Sequence, residues 1–181
     1  VATILSAVAG VGLILLFIQI RKGPSVPAYL GLTRIGKSSL LMVLAAIVGL
    51  VVLFSGLDRF FPESPNTQFM IDAYRSSFSP ILLWIATVIF APAFEEGFFR
   101  GFLFVGLARS RLGPAGTVVL TSIFWAALHI QYDLYGIISI LVLGIVFGLV
   151  RIKTASLWGP VIMHSIWNLV AMIGTALYVS G

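Results

Sequence analysis

Cysteine is absent from this chain of 181 residues, which excludes disulfides, a thiolate nucleophile and thiolate metal ligands. Charge is almost as scarce. Asp, Glu, Lys and Arg make up 9% of the positions, against about 25% in a soluble domain. Only two histidines occur, and no internal repeat or low-complexity stretch is visible. The net charge of +5 is no sign of nucleic-acid binding, because the basic residues sit mostly at the ends of apolar runs, where they set orientation in a bilayer.

What is present is apolar. Hydrophobic residues fill 60% of the chain and the mean hydropathy is +1.11, the composition of a multi-pass membrane protein. Apolar runs cover residues 2–20, 39–57, 80–108, 114–130, 134–150 and 156–179. The expected fold is all-α, a polytopic bundle of about six to seven transmembrane helices at roughly 20 residues per crossing. One membrane domain over 1–181 accounts for it. The first run is followed by Arg21-Lys22, whereas a signal peptide carries its charges before the apolar core, so it reads as a transmembrane helix. Run 80–108 would be about 43 Å long as one straight helix. Pro92 inside it predicts a kink near 91–93. Gly113-Pro114 is a helix-initiating pair, and a helix over 114–130 is expected after it.

Three connections are basic: 21–38, the Arg109/Arg111 loop and the Arg151/Lys153 loop. One crossing by 80–108 puts all three on the cytoplasmic side, with both ends of the chain facing out. Within 21–38 the segment AYLGL is expected along the membrane surface. The longest polar connection is 58–79, with Pro62 and Pro65. Gly97-x-x-x-Gly101 and Gly144-x-x-x-Gly148 have the spacing of close helix packing within a bundle.

Against this background stand Glu95, Glu96 and Arg100, three ionisable side chains in six positions of an apolar run. Each costs about 2.5–3.5 kcal/mol near a bilayer centre on insertion scales, so such groups pair, line a wet cavity or do chemistry. Glu96 and Arg100 are four apart with the acid first, the better order for an ion pair on one helix face. Glu95 lies about 100° around the helix and is left over as a candidate general base. The competing structural reading has Arg100 bridging both glutamates merely to pin helices together. His129 falls at the end of run 114–130, and His164 and Asn168 share a face of the last run. Counted from the basic side, Glu95 and His129 both lie roughly 21–23 Å deep, Asn168 about 18 Å and His164 about 12 Å, depths compatible with one site.

APAFEEGFFRGFL resembles the EExxxR motif of the CAAX-protease and bacteriocin-processing (CPBP, or Abi) family. The family's FxxxH corresponds to Trp125-Ala-Ala-Leu-His129, with Trp where Phe is usual, and its HxxxN corresponds to His164-Ser-Ile-Trp-Asn168. The resemblance covers about 80–170, read as the catalytic core. It implies an intramembrane endopeptidase in which Glu95 is general base, His129 assists it, His164 and Asn168 stabilise the oxyanion, and Glu96–Arg100 orients Glu95. On the resemblance the Trp125 departure bears on packing behind His129 and little else.

The leading reading is hydrolysis of a peptide bond in a membrane-associated substrate by glutamate- and histidine-activated water. No cofactor is expected. A zinc metalloprotease using Glu95, His129 and His164 is the alternative within that class, two histidines and a carboxylate being a recognised zinc set. From another class comes a non-catalytic membrane subunit or assembly factor that retains the fold; a transporter ranks low without an inverted repeat. The expected partners are membrane lipid, a peptide or lipidated-protein substrate and a membrane-protein complex partner, with no nucleic acid. The expected location is the cell (inner) membrane.

Overall fold

The computed structural model describes residues 2–60 and 65–180. The chain is helical, with no strand among the described residues. In order, its helices are α1 (Ala2–Ile20), α2 (Val26–Leu30), α3 (Lys37–Leu57), α4 (Pro65–Arg75), α5 (Pro80–Leu107), α6 (Gly113–Ala127), α7 (Leu134–Thr154) and α8 (Trp158–Ser180). Among the described residues α1, α3, α5, α7 and α8 are long and apolar enough to cross a membrane, and α6 is apolar but shorter. The protein is a polytopic helical bundle and an integral membrane protein. Pro62 lies outside the described residues.

Local chemistry sets the boundaries. Ser79 caps α5 by accepting from the Leu82 N–H at 3.4 Å, ahead of Pro80 in the first turn. Asp133 caps α7 through the Gly136 N–H at 2.8 Å. Pro92 does not break α5. The backbone instead widens into a π-helical turn over Ala86–Phe90, so that the Ala91 N–H reaches the Ala86 carbonyl five residues back. Proline lacks an N–H and crowds the carbonyl four residues earlier, and a widened turn before it relieves that crowding. A second wide turn covers Gly97–Leu103 and carries Arg100.

Helix α6 ends at Ala127, not at 130, so His129 stands just beyond the helix. Its 15 residues rise only about 22 Å, against about 30 Å of hydrocarbon. With the Arg109/Arg111 loop at the membrane surface, a helix of that length would bring the turn at 128–133 within the thickness of the membrane. Non-helical backbone survives at that depth only when protein covers it or water reaches it. Helix α4 supplies cover: Phe69 meets the Tyr132 ring edge-on at 5.5 Å, and the Tyr132 hydroxyl lies 4.0 Å from Met70 Sδ.

The main core gathers α3, α5, α6, α7 and α8 around Val43, Phe99, Leu143, Phe147 and Met163. Helix α6 packs most extensively on α7, where Gly148 faces Val118 so closely that a Cβ would fall 2.7 Å from Cγ1. At the other end of the bundle α2 docks through buried Tyr29 and Leu30 against Ile14, Ile18 and Leu157. Gly31 closes α2 at φ +71°, and a Cβ there would collide with the Arg151 guanidinium.

Candidate active site

Glu96 and Arg100 are both completely buried and form the expected pair, Nη1 to Oε1 at 3.0 Å. Arg100 also donates from Nη2 to the Gly144 carbonyl at 2.9 Å and lies 4.8 Å from the Trp125 ring centroid. Its remaining neighbours include the faces of Phe99 and Phe147. Gly144 is required for this approach, since a Cβ there would sit 3.1 Å from Nη2. His164, buried on α8, donates from Nδ1 to the same Glu96 Oε1 at 2.9 Å. One carboxylate thus ties α5 to α8, while Arg100 ties α5 to α7.

Glu95 takes a different direction. It is half-buried, and its Oε2 accepts from the Trp125 indole N–H at 2.6 Å. His129 bonds through Nδ1 to the Trp125 carbonyl at 2.8 Å. A carbonyl can only accept, so Nδ1 carries the hydrogen and the neutral ring keeps its lone pair on Nε2. The Trp125 ring meets the rings of both His129 and His164 edge-on, at 5.4 and 5.2 Å. His129 in turn stacks on Tyr132 at 5.9 Å.

Six side chains were singled out from the sequence, and five of them converge around Trp125: Glu95, Glu96, Arg100, His129 and His164. Asn168, one turn beyond His164 on α8, donates from Nδ2 to the Thr87 carbonyl at 2.9 Å within the first wide turn of α5. Two participants were missed. The Gly144 carbonyl left no trace in the sequence beyond the glycine spacing. Trp125 did leave one: a buried indole N–H needs an acceptor.

Among the described residues no three or more His, Cys, Asp or Glu side chains are grouped to hold a metal ion. The Nδ1 atoms of His129 and His164 bond to the Trp125 carbonyl and the Glu96 carboxylate, and the Trp125 ring meets both imidazoles edge-on.

Residues 77–170, just over half of the chain, match the family model described as type II CAAX prenyl endopeptidase Rce1-like. The chain belongs to that family. All six candidate residues of this CAAX-protease-type chain fall within the matched span. No curated protein and no solved structure matches it.

Proposed function

We propose that this protein is an intramembrane endopeptidase that hydrolyses a peptide bond in a membrane-associated substrate, a prenylated C-terminus being the class suggested by the family's description. The observation that carries the reading is the contrast between two adjacent carboxylates. Glu96 is neutralised by Arg100 at 3.0 Å, whereas among the described residues Glu95 forms no ion pair, feels the Arg100 charge only through space, and accepts from the Trp125 indole N–H, whose ring also meets His129. An intramembrane carboxylate left in that state is costly and is kept for chemistry.

In this reading Glu95 takes a proton from a water molecule whose oxygen attacks the scissile carbonyl carbon. His129, with its lone pair on Nε2, accepts a hydrogen bond from the same water and fixes its direction. The carbonyl oxygen becomes an oxyanion. Asn168 has one amide hydrogen beyond the one given to Thr87, and His164, held as the imidazolium against the Glu96 carboxylate, has an Nε2–H to give; these two are the proposed oxyanion partners. Glu95 then hands its proton to the departing amine as the C–N bond breaks. The enzyme works in the cell membrane, with the 58–79 connection on the outer side, and takes peptide or lipidated protein directly from the lipid.

The test is Glu95→Gln, assayed on an internally quenched farnesylated CAAX peptide in detergent and in proteoliposomes. Cleavage should vanish while the unfolding midpoint stays unchanged. Retained turnover would remove Glu95 as base. Stable recovery in a larger membrane complex whose activity ignores Glu95→Gln would instead favour a non-catalytic subunit.

A further inference from the structure

We propose that Trp125 is the positioning residue that sets the reactive orientation of Glu95, a role a phenylalanine at this place could not fill. The inference rests on Glu95 being the base. Its own observations are independent of that role. The indole N–H to Oε2 distance of 2.6 Å is that of a short, charge-assisted hydrogen bond. Trp125 is almost wholly buried, so water cannot replace the contact. Among the described residues this N–H is the one hydrogen-bond donor given to the Glu95 carboxylate.

The same residue is wedged on every side. Arg100 covers its ring at 4.8 Å, the His129 and His164 rings meet it edge-on, and Phe147 lies 5.8 Å away. Its backbone carbonyl meanwhile fixes the hydrogen of His129 on Nδ1. A ring so enclosed holds its N–H in one direction, and the Glu95 carboxylate is held with it. The sequence shows Trp where the resembling motif carries Phe. The geometry gives that difference a consequence: an added donor on one oxygen, Oε2, which leaves Oε1 to act on the water.

The experiment separates this proposal from the assignment of the base. Trp125→Phe keeps an aromatic ring between the histidines and removes the donor. Replacing Trp125 by benzothienylalanine, with sulfur in place of N–H, keeps the full bicyclic shape. With the quenched farnesylated peptide, both variants should lose about tenfold or more in kcat, the scale of one charge-assisted hydrogen bond, with KM within about twofold. A purely packing role predicts loss in Trp125→Phe but full kcat in the sulfur isostere. That pattern overturns the proposal while leaving Glu95→Gln inactive and the base intact; turnover in Glu95→Gln overturns both. Ultraviolet resonance Raman needs no substrate. The wild-type-minus-Trp125→Phe difference should show a strongly hydrogen-bonded indole N–H, shifted toward the free value in Glu95→Leu. An indole band unmoved by Glu95→Leu would end the proposal.

Discussion

Arg100 and Arg151 show how the chain hides two guanidinium groups in an apolar bundle by opposite means. Arg100 meets a carboxylate, a carbonyl and three aromatic faces. Arg151 donates to the carbonyls of Arg100 at 3.0 Å and Leu30 at 3.4 Å, and lies over Phe104. Removing Arg100 would strand the buried Glu96 charge, which is where the large cost of breaking a buried pair arises. Arg100→Ala is therefore expected to lose about 3–5 kcal/mol, read as a marked drop in unfolding midpoint in detergent. Glu96→Gln in the same background should restore part of it, because the unpaired charge is then gone. An unchanged midpoint would mean that water already reaches the pair.

At the scale of elements, α5 and α6 are the informative helices. The wide turns of α5 absorb Pro92 and carry Arg100, so the motif helix runs on past the proline without a break. The glycine spacings resolve into packing inside the bundle at three of four positions. Gly101 faces Leu30, Gly144 faces Ser122 and Arg100, and Gly148 faces Val118, whereas Gly97 has open space around it. Val118 is β-branched on a helix and cannot rotate away easily. Gly148→Ala should therefore cost about 1–3 kcal/mol by overpacking and lower the unfolding midpoint, while Gly97→Ala should change stability little. Equal effects at the two sites would count against this packing.

Over the whole molecule the charge distribution predicts orientation. The loop between α5 and α6 carries Arg109 and Arg111, while 128–133 carries no basic residue. With no native cysteine, single cysteines report topology cleanly. Ser76→Cys, after α4, should react with an impermeant maleimide on intact cells, and Ser110→Cys only after permeabilisation. The reverse pattern would invert the orientation and put α4 on the cytoplasmic side.

Helical class, membrane character and the candidate site residues were legible in the sequence because they depend on composition and on short spacings. A 60% apolar chain leaves few alternatives, and Glu96 and Arg100 meet simply because four residues make about one turn. The second glutamate was identifiable as the odd one out for the same local reason. Other features depend on what stands across the bundle, and only the tertiary structure decided them. Run 114–130 looks like a full crossing, yet its helix stops at Ala127, and a turn covered by Phe69 of α4 leads to the Asp133 cap of α7. Trp125 lies thirty residues from Glu95, and nothing local links an indole to that carboxylate. Periodicity fixes which residues share a face; it takes the packing of α5, α6 and α8 to decide what that face meets.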